Sequence, residues 1–311
     1  MSDSNIAFTF RVIVHTCQML SSEMPLPIEA VNKKPYIIKP KARQTDRGYL
    51  YPLNVNKAFG VEISSLVRFL SAIERIQANL GISEWQFDRL DIAFDTTLKY
   101  DDIYKYSLYI ISLVSAITGI KNAIDIQDVN TKRKRALTIK RDGRNAFELQ
   151  IYNKALESDN KHPYSRFEFR YKNINGKDVY SVLEQLRSLI SGLLYGIEVV
   201  ERQRVSALYE LWQTESGSGN TTQTKNLSEF VRRYSNDLFT REIVKGLYSK
   251  IHSGKFTEWL KYFRRNNRIL FIEKTEIETI VETMKKALDG FIEAGEYPSP
   301  VLQEKEIAKA G

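Results

Sequence analysis

The sequence predicts an α+β protein: an antiparallel β-sheet with helices on one face, followed by a helical domain at the C-terminal end. Three observations lead there. Segments 87–95, 136–141, 146–153 and 165–172 of this 311-residue chain alternate apolar and polar residues with the period of two that marks a half-buried strand. Segments 61–79 and 101–119 instead repeat apolar residues every three or four positions, as a helix does. Beyond a polar stretch, QTESGSGNTTQTK at 213–225, the pattern is helical only.

Taken in order, residues 6–14, IAFTFRVIV, read as a first strand. In FDRLDIAFD, 87–95, alternation sends Leu90, Ile92 and Phe94 to one face and Arg89, Asp91, Ala93 and Asp95 to the other. AFELQIYNK, 146–154, puts Phe147, Leu149 and Ile151 inward and Glu148, Gln150 and Tyr152 opposite. SRFEFRYK, 165–172, buries Phe167, Phe169 and Tyr171 and leaves Arg166, Glu168, Arg170 and Lys172 on the polar side. Asn226 with Glu229 then resembles a helix N-cap pair, and Phe230, Tyr234, Leu238, Ile243 and Leu247 recur at helical spacing. The expected organisation is a larger domain over 1–212, a linker over 213–225 and a helical domain over 226–311.

Composition narrows the class. Cys17 is the single cysteine, so no internal disulfide forms and no thiolate metal site can be built within one chain. The start lacks the basic and apolar regions of a signal peptide, and polar residues dilute the longest apolar stretches, so neither export nor a membrane span is expected and a cytoplasmic setting is. The formal charge of +8 is concentrated: between Lys225 and Arg268, 11 Lys/Arg stand against 4 Asp/Glu. That segment interleaves Arg232, Arg233, Arg241, Lys245, Arg264, Arg265 and Arg268 with aromatic residues, which points to a phosphate-rich partner.

Three adjacent strands of this kind would collect acids on one face. Clustered carboxylates repel unless a cation holds them, and a hard divalent ion such as Mg²⁺ or Mn²⁺ takes oxygen ligands from a few carboxylates, water and a substrate phosphate. A sheet face of that kind suits phosphodiester chemistry.

The ordered set RLDIAFD (89–95), LTIKRDGRNAFELQIYNKALES (137–158) and SRFEFRYK (165–172) resembles the core of the plasmid replication initiation factor family, the Rep_trans-type rolling-circle initiators, to which relaxases of conjugative transposons are related. The resemblance spans roughly residues 45–195. It implies a DNA nickase whose tyrosine attacks a phosphodiester, keeps the 5′-phosphate and frees a 3′-hydroxyl, on an RRM-like sheet whose acids hold Mg²⁺ or Mn²⁺. Matched position by position, it implies Asp91, Glu148 and Glu168 as metal ligands, Lys154 as a cation near the phosphate or phenolate, and Tyr180 as nucleophile, with Tyr152 and Tyr164 as alternatives. Asp95 is then either a supporting partner or a strand-end cap. The implied partners are single- and double-stranded origin DNA, a host helicase and polymerase, and a second copy in a homodimer.

Several signals are missing. None of His15, His162 and His252 forms the His-hydrophobe-His pair of other rolling-circle enzymes, leaving a carboxylate site to which His162 could add a ligand. No phosphate-binding GxxxxGK[ST] loop occurs, so unwinding would fall to a separate helicase. Other readings stay open on the residues alone: a conjugative relaxase or filamentous-phage initiator of the same chemistry, a DNA-binding protein without catalysis, and a primase-like palm using Asp91 and Asp95.

Overall fold

The computed structural model describes residues 8–39, 41–60, 63–120, 125–129, 134–143, 146–157, 165–174, 177–217, 227–234, 240–266 and 271–294. The elements run β1 (Arg11–Ser21), α1 (Ile28–Val31), β2 (Arg43–Thr45), β3 (Gly48–Leu53), α2 (Val55–Phe59), α3 (Leu66–Leu80), β4 (Gln86–Thr96), α4 (Tyr100–Thr118), β5 (Asp125–Val129), β6 (Lys134–Arg141), β7 (Ala146–Asn153), α5 (Lys154–Glu157), β8 (Ser165–Lys172), α6 (Val179–Gly217), α7 (Leu227–Arg233), α8 (Arg241–Ile251), α9 (Phe256–Asn266) and α10 (Lys274–Glu293). The strands pair antiparallel in one sheet of order β2-β3-β1-β4-β8-β7-β6-β5, and outside it a single parallel bridge joins Thr240 to Ile272 among the described residues. The α+β class with an antiparallel sheet is therefore what the alternation predicts. Among the described residues, no helix is long and apolar enough to cross a membrane.

The apolar sides of the three motif strands meet the helices. Leu90, Ile92, Phe94, Leu149, Ile151, Phe167 and Phe169 are essentially buried and join one cluster with side chains of α3, α4, α6 and α10. Helix α3 shows why its segment is helical: Leu66, Phe69, Ile73, Ile76 and Leu80 fall on one face, Ser65 caps the first turn through Arg68 N, and Gly81 closes the helix at φ 69°. Strand β1 begins at Arg11 and continues to Ser21, further along the chain than the stretch 6–14 suggests, because its later half pairs with β3 as well as with β4.

The expected linker is partly helix. Helix α6 continues through Gly217, and residues 218–226 lie outside those described. Thr214 and Ser216 donate to the carbonyls of Glu210 and Trp212, satisfying their hydroxyls within the helix, and Trp212 packs edge-on against Phe230 of α7. At 39 residues α6 spans roughly 58 Å at 1.5 Å per residue, long enough to serve both the sheet and the C-terminal helices. A Cβ on Gly246 of α8 would sit 2.7 Å from Val205 of α6, so these two helices approach as closely as glycine allows. Helix α10 inserts Ile277, Ile280, Val281, Met284, Leu288 and Phe291 into the same core that backs the sheet.

Glu201 of α6 is half-buried near Tyr109 of α4, Glu242 of α8 and Lys274 of α10, and accepts from Thr240 Oγ1 at 3.1 Å. Burial, and after it the Glu242 carboxylate, raise its pKa against the pull of Thr240, Lys274 and Tyr109. A raised folded-state pKa means that the folded chain holds this proton more tightly, so stability falls as pH rises through and above the ordinary carboxylate range. Glu201→Gln should therefore raise the melting temperature at neutral pH, with the gain shrinking in acid, as measured by calorimetry across pH. A chain truncated after residue 226 should lose the sheet as well as the C-terminal helices, giving no cooperative melt by circular dichroism.

Candidate active site

The three motif strands lie side by side, β4-β8-β7, in a register that places acids opposite bases. Asp91 faces Arg170, Asp95 faces Arg166 and Arg89 faces Lys172 across β4 and β8; Glu148 faces Arg170 and Tyr152 faces Arg166 across β8 and β7. The side chains follow the backbone. Arg166 grips Asp95 through Nε and Nη2 at 2.6 and 2.8 Å. Arg89 holds Asp91 in the same way at 2.7 and 2.6 Å, and Thr16 also donates to that carboxylate. Arg170 spans two acids, with Nε on Glu168 at 3.0 Å and Nη1 on Glu148 at 2.9 Å, and Lys172 takes the other Glu148 oxygen at 2.6 Å.

The face is far from solvent in places. Asp91, Asp95, Arg166 and Glu168 are all buried, which an ion can bear only when paired and hydrogen-bonded. Burial opposes ionisation of Glu168, yet His15 and Arg170 outweigh it and hold the carboxyl well below the usual range. Glu148 is likewise depressed, with burial overcome by Lys172 and Arg170. Burial works against the charged form of Arg166 too, but Asp95, Tyr152 and Glu168 raise its pKa further.

The expected metal ligands are thus each engaged by arginine or lysine. Among the described residues, no three His, Cys, Asp or Glu side chains come together as a group able to hold an ion. Asp91 and Glu168 line one open pocket of about 160 Å³, together with Lys39, Arg89, Arg170 and His15; Glu148 is absent from that lining and lies across Arg170 from it. In this arrangement the donor set does not fit a three-carboxylate centre, because Arg89, Arg170 and Lys172 supply the positive charge that a metal would bring.

Of the tyrosines, Tyr152 joins the face: it is buried, and its hydroxyl donates to Glu168 Oε2 at 2.8 Å. Lys154, also buried, stands over the Tyr152 ring at 5.9 Å. Tyr180 sits in the first turn of α6, 54% exposed, where Asp178 caps the helix through Ser181 N. Ile174 N donates to Asp88 O just beyond β8, and Tyr180 comes six residues later in the chain, so it follows the Arg89/Lys172 end of the sheet. Tyr164 and His162 lie outside the described residues.

His15 is the residue that sequence reasoning missed. It occupies a β-bulge, where pairing jumps from Val14–Ile92 to Thr16–Asp91, and this brings its ring into the pocket with Nδ1 3.7 Å from Glu168 Oε1. Nδ1 is buried without a hydrogen-bond partner. Strict alternation offers no sign of such a bulge.

The C-terminal cations divide in two. Arg232 pairs with Glu229, Arg233 with Glu215, and Arg241 and Arg264 both with Glu273 at the start of α10. Lys245 and Arg265 are exposed, and Arg268 lies outside the described residues. Trp259 stacks on Phe256 and Phe263, placing those aromatics in the core rather than on a base-stacking surface.

No protein-family model and no curated protein sequence matches this chain. Among solved structures, it is similar to a rolling circle replication initiator protein from Geobacillus stearothermophilus at 12% identity, over 57% of this chain and 78% of that one, with a TM-score of 0.31. That likeness is too slight to place the chain in a family.

Breaking a buried ion pair strands its partner's charge, a loss of about 3–5 kcal/mol. Asp95→Asn should reach that range in urea melts, and Glu148→Gln, whose partners are partly exposed, should cost clearly less. Glu168→Gln should destabilise the chain at neutral pH. Because the Glu168 pKa is depressed on folding, the wild type's advantage should fade as pH falls through and below the ordinary carboxylate range.

Proposed function

We propose that this chain cuts and rejoins single-stranded DNA as a replication initiator of the rolling-circle type. The observation that supports this best is the assembly of the three resembling motifs into adjacent strands, whose polar sides form one charged face with an open pocket lined by Arg89, Arg170 and Lys39. In the reaction a tyrosine oxygen attacks a backbone phosphorus, the bond to the 3′-oxygen breaks, and the 5′-phosphate stays on the protein. The phenol proton leaves to a base or to water, and the departing 3′-oxygen gains a proton. A 3′-hydroxyl is freed for extension, and the reverse step rejoins strands.

Tyr180 is the preferred nucleophile because a strand of DNA can reach an exposed hydroxyl at a helix start, whereas the Tyr152 hydroxyl is committed to Glu168. In this reading Tyr152 and Lys154 keep Glu168, and through it Arg170, in place. No step is assigned to a divalent ion, since Asp91, Glu148 and Glu168 are each bound to cations of the chain itself. The same pairing counts against a primase-like palm, which needs Asp91 and Asp95 free for metal. A conjugative relaxase would share this chemistry. The exposed Lys245 and Arg265 are candidates for contacts with duplex phosphates, and a helicase, a polymerase and a second copy of the chain are the partners that initiation calls for.

The test is covalent capture. Incubated with supercoiled plasmid or a random-sequence pool of single-stranded oligonucleotides, with Mg²⁺ or Mn²⁺ and with EDTA, the chain should form a denaturation-resistant protein–DNA adduct. Tyr180→Phe should abolish the adduct, and Tyr152→Phe should leave it detectable. A wild-type chain that binds DNA but forms no adduct in any of these conditions would leave only the DNA-binding reading.

A further inference from the structure

We propose that the pocket over β1, β4 and β8 is a phosphate seat in which Arg89, Arg170 and Lys39 contact a single-stranded DNA phosphodiester directly, with no divalent ion between protein and phosphate. The ligand class rests on the function proposed above; the seat itself rests on geometry and charge.

Two guanidinium groups at this pocket are fixed but not exhausted. Arg89 spends Nε and Nη2 on Asp91, leaving Nη1; Arg170 spends Nε on Glu168 and Nη1 on Glu148, leaving Nη2. Both residues line the pocket. Their planar forks are held by carboxylates on one side, so the remaining donors keep a set direction at little cost in side-chain entropy when an anion arrives. Lys39, exposed on the segment before β2, adds a flexible point charge to the rim and makes no ion pair among the described residues.

The charge balance points the same way. The lining carries three cations, Lys39, Arg89 and Arg170, against two carboxylates, Asp91 and Glu168, a formal excess of one positive charge before any contribution from His15. A phosphodiester carries one negative charge, the sign that this lining attracts. The buried Nδ1 of His15, which has no hydrogen-bond partner, adds a polar atom on the wall that water or substrate can satisfy. The carboxylates thus act as positioning groups: Asp91 aims Arg89, while Glu168 and Glu148 aim Arg170.

Fluorescence anisotropy of the full chain with a labelled oligothymidylate of about eight nucleotides, in excess EDTA and in Mn²⁺, tests this. Wild-type affinity should agree within about twofold between the two conditions. Arg89→Lys keeps the charge and loses the fork; together with Arg170→Lys it should weaken binding by about tenfold while leaving the salt slope nearly unchanged. Lys39→Ala, an exposed change that should leave the melt unaltered, should lower the slope of log affinity against log salt by about 0.7, the value for one single-strand phosphate contact. Binding that needs Mn²⁺, or Lys39→Ala and the double variant binding like wild type, would overturn the seat. Tighter binding of a matched oligouridylate would overturn its assignment to DNA. The adduct assay reads separately: EDTA-resistant binding through these residues without any adduct sinks strand transfer and keeps the seat, and an adduct with binding unchanged in the variants does the reverse.

Discussion

The polar face of the sheet depends on guanidinium–carboxylate pairing across β4, β8 and β7. Asp91, Asp95, Glu148 and Glu168 meet Arg89, Arg166, Arg170 and Lys172, and every one of these acids is in contact with a base. Without the bases, four acids at this density would repel, and those that are buried would take up protons rather than remain charged. With them, the face is close to neutral and its side chains are fixed, and a one-residue slip would break the pairs that cross strands, Arg166 with Asp95 and Arg170 and Lys172 with Glu148. Such pairs are weak evidence for net stability, since desolvation consumes much of the attraction. Their value lies in holding donors still.

The second constraint is mechanical. Helix α6 follows β8 in the chain and packs against α4, α8 and α10, and the buried side chains of these helices join those of the sheet in one core. This changes the meaning of the C-terminal charge. Arg241 and Arg264 converge on Glu273, which also closes a capping box with Glu276, and Arg233 ties α7 to the end of α6. Much of the local positive excess therefore fastens helices to one another, and exposed cations such as Lys245 and Arg265 are what remains for an external anion.

The sequence made the strands readable because burial on one face imposes a period of two, and Leu90, Ile92, Phe94, Phe167 and Phe169 obey it without exception. It also gave the correct side for Asp91, Glu148 and Glu168. It placed Arg89 beside Asp91 and Arg170 beside Glu168 on the same faces, but did not show that Glu148 is held by Arg170 and Lys172, because alternation fixes the face of a residue and not its neighbour on the next strand. Arg170 reads as one more polar residue of β8 until the register sets it between Asp91 and Glu148. His15 was hidden for a related reason: a bulge breaks the period that the reading relies on. The tail of α6 was hidden by composition, since Gly, Ser and Thr suggest a linker although the hydroxyls of Thr214 and Ser216 close back onto the helix.

The face is graded along β8, and the grading separates scaffold from site. At one end Arg166 and Asp95 are both about 3% exposed, beyond the reach of any polymer. One pair further along, Arg170 opens to 20% while its partner Glu168 stays closed, and at the far end Lys172 reaches 37%. The chain then turns at Ile174 and enters α6 with Tyr180 exposed. An extended anion can thus meet the sheet only where donors are both held and open, which is the end that Tyr180 follows. The open arginines take their orientation from the carboxylates that hold them, Asp91 for Arg89 and Glu168 with Glu148 for Arg170, so the more buried acids fix donors that solvent can still reach.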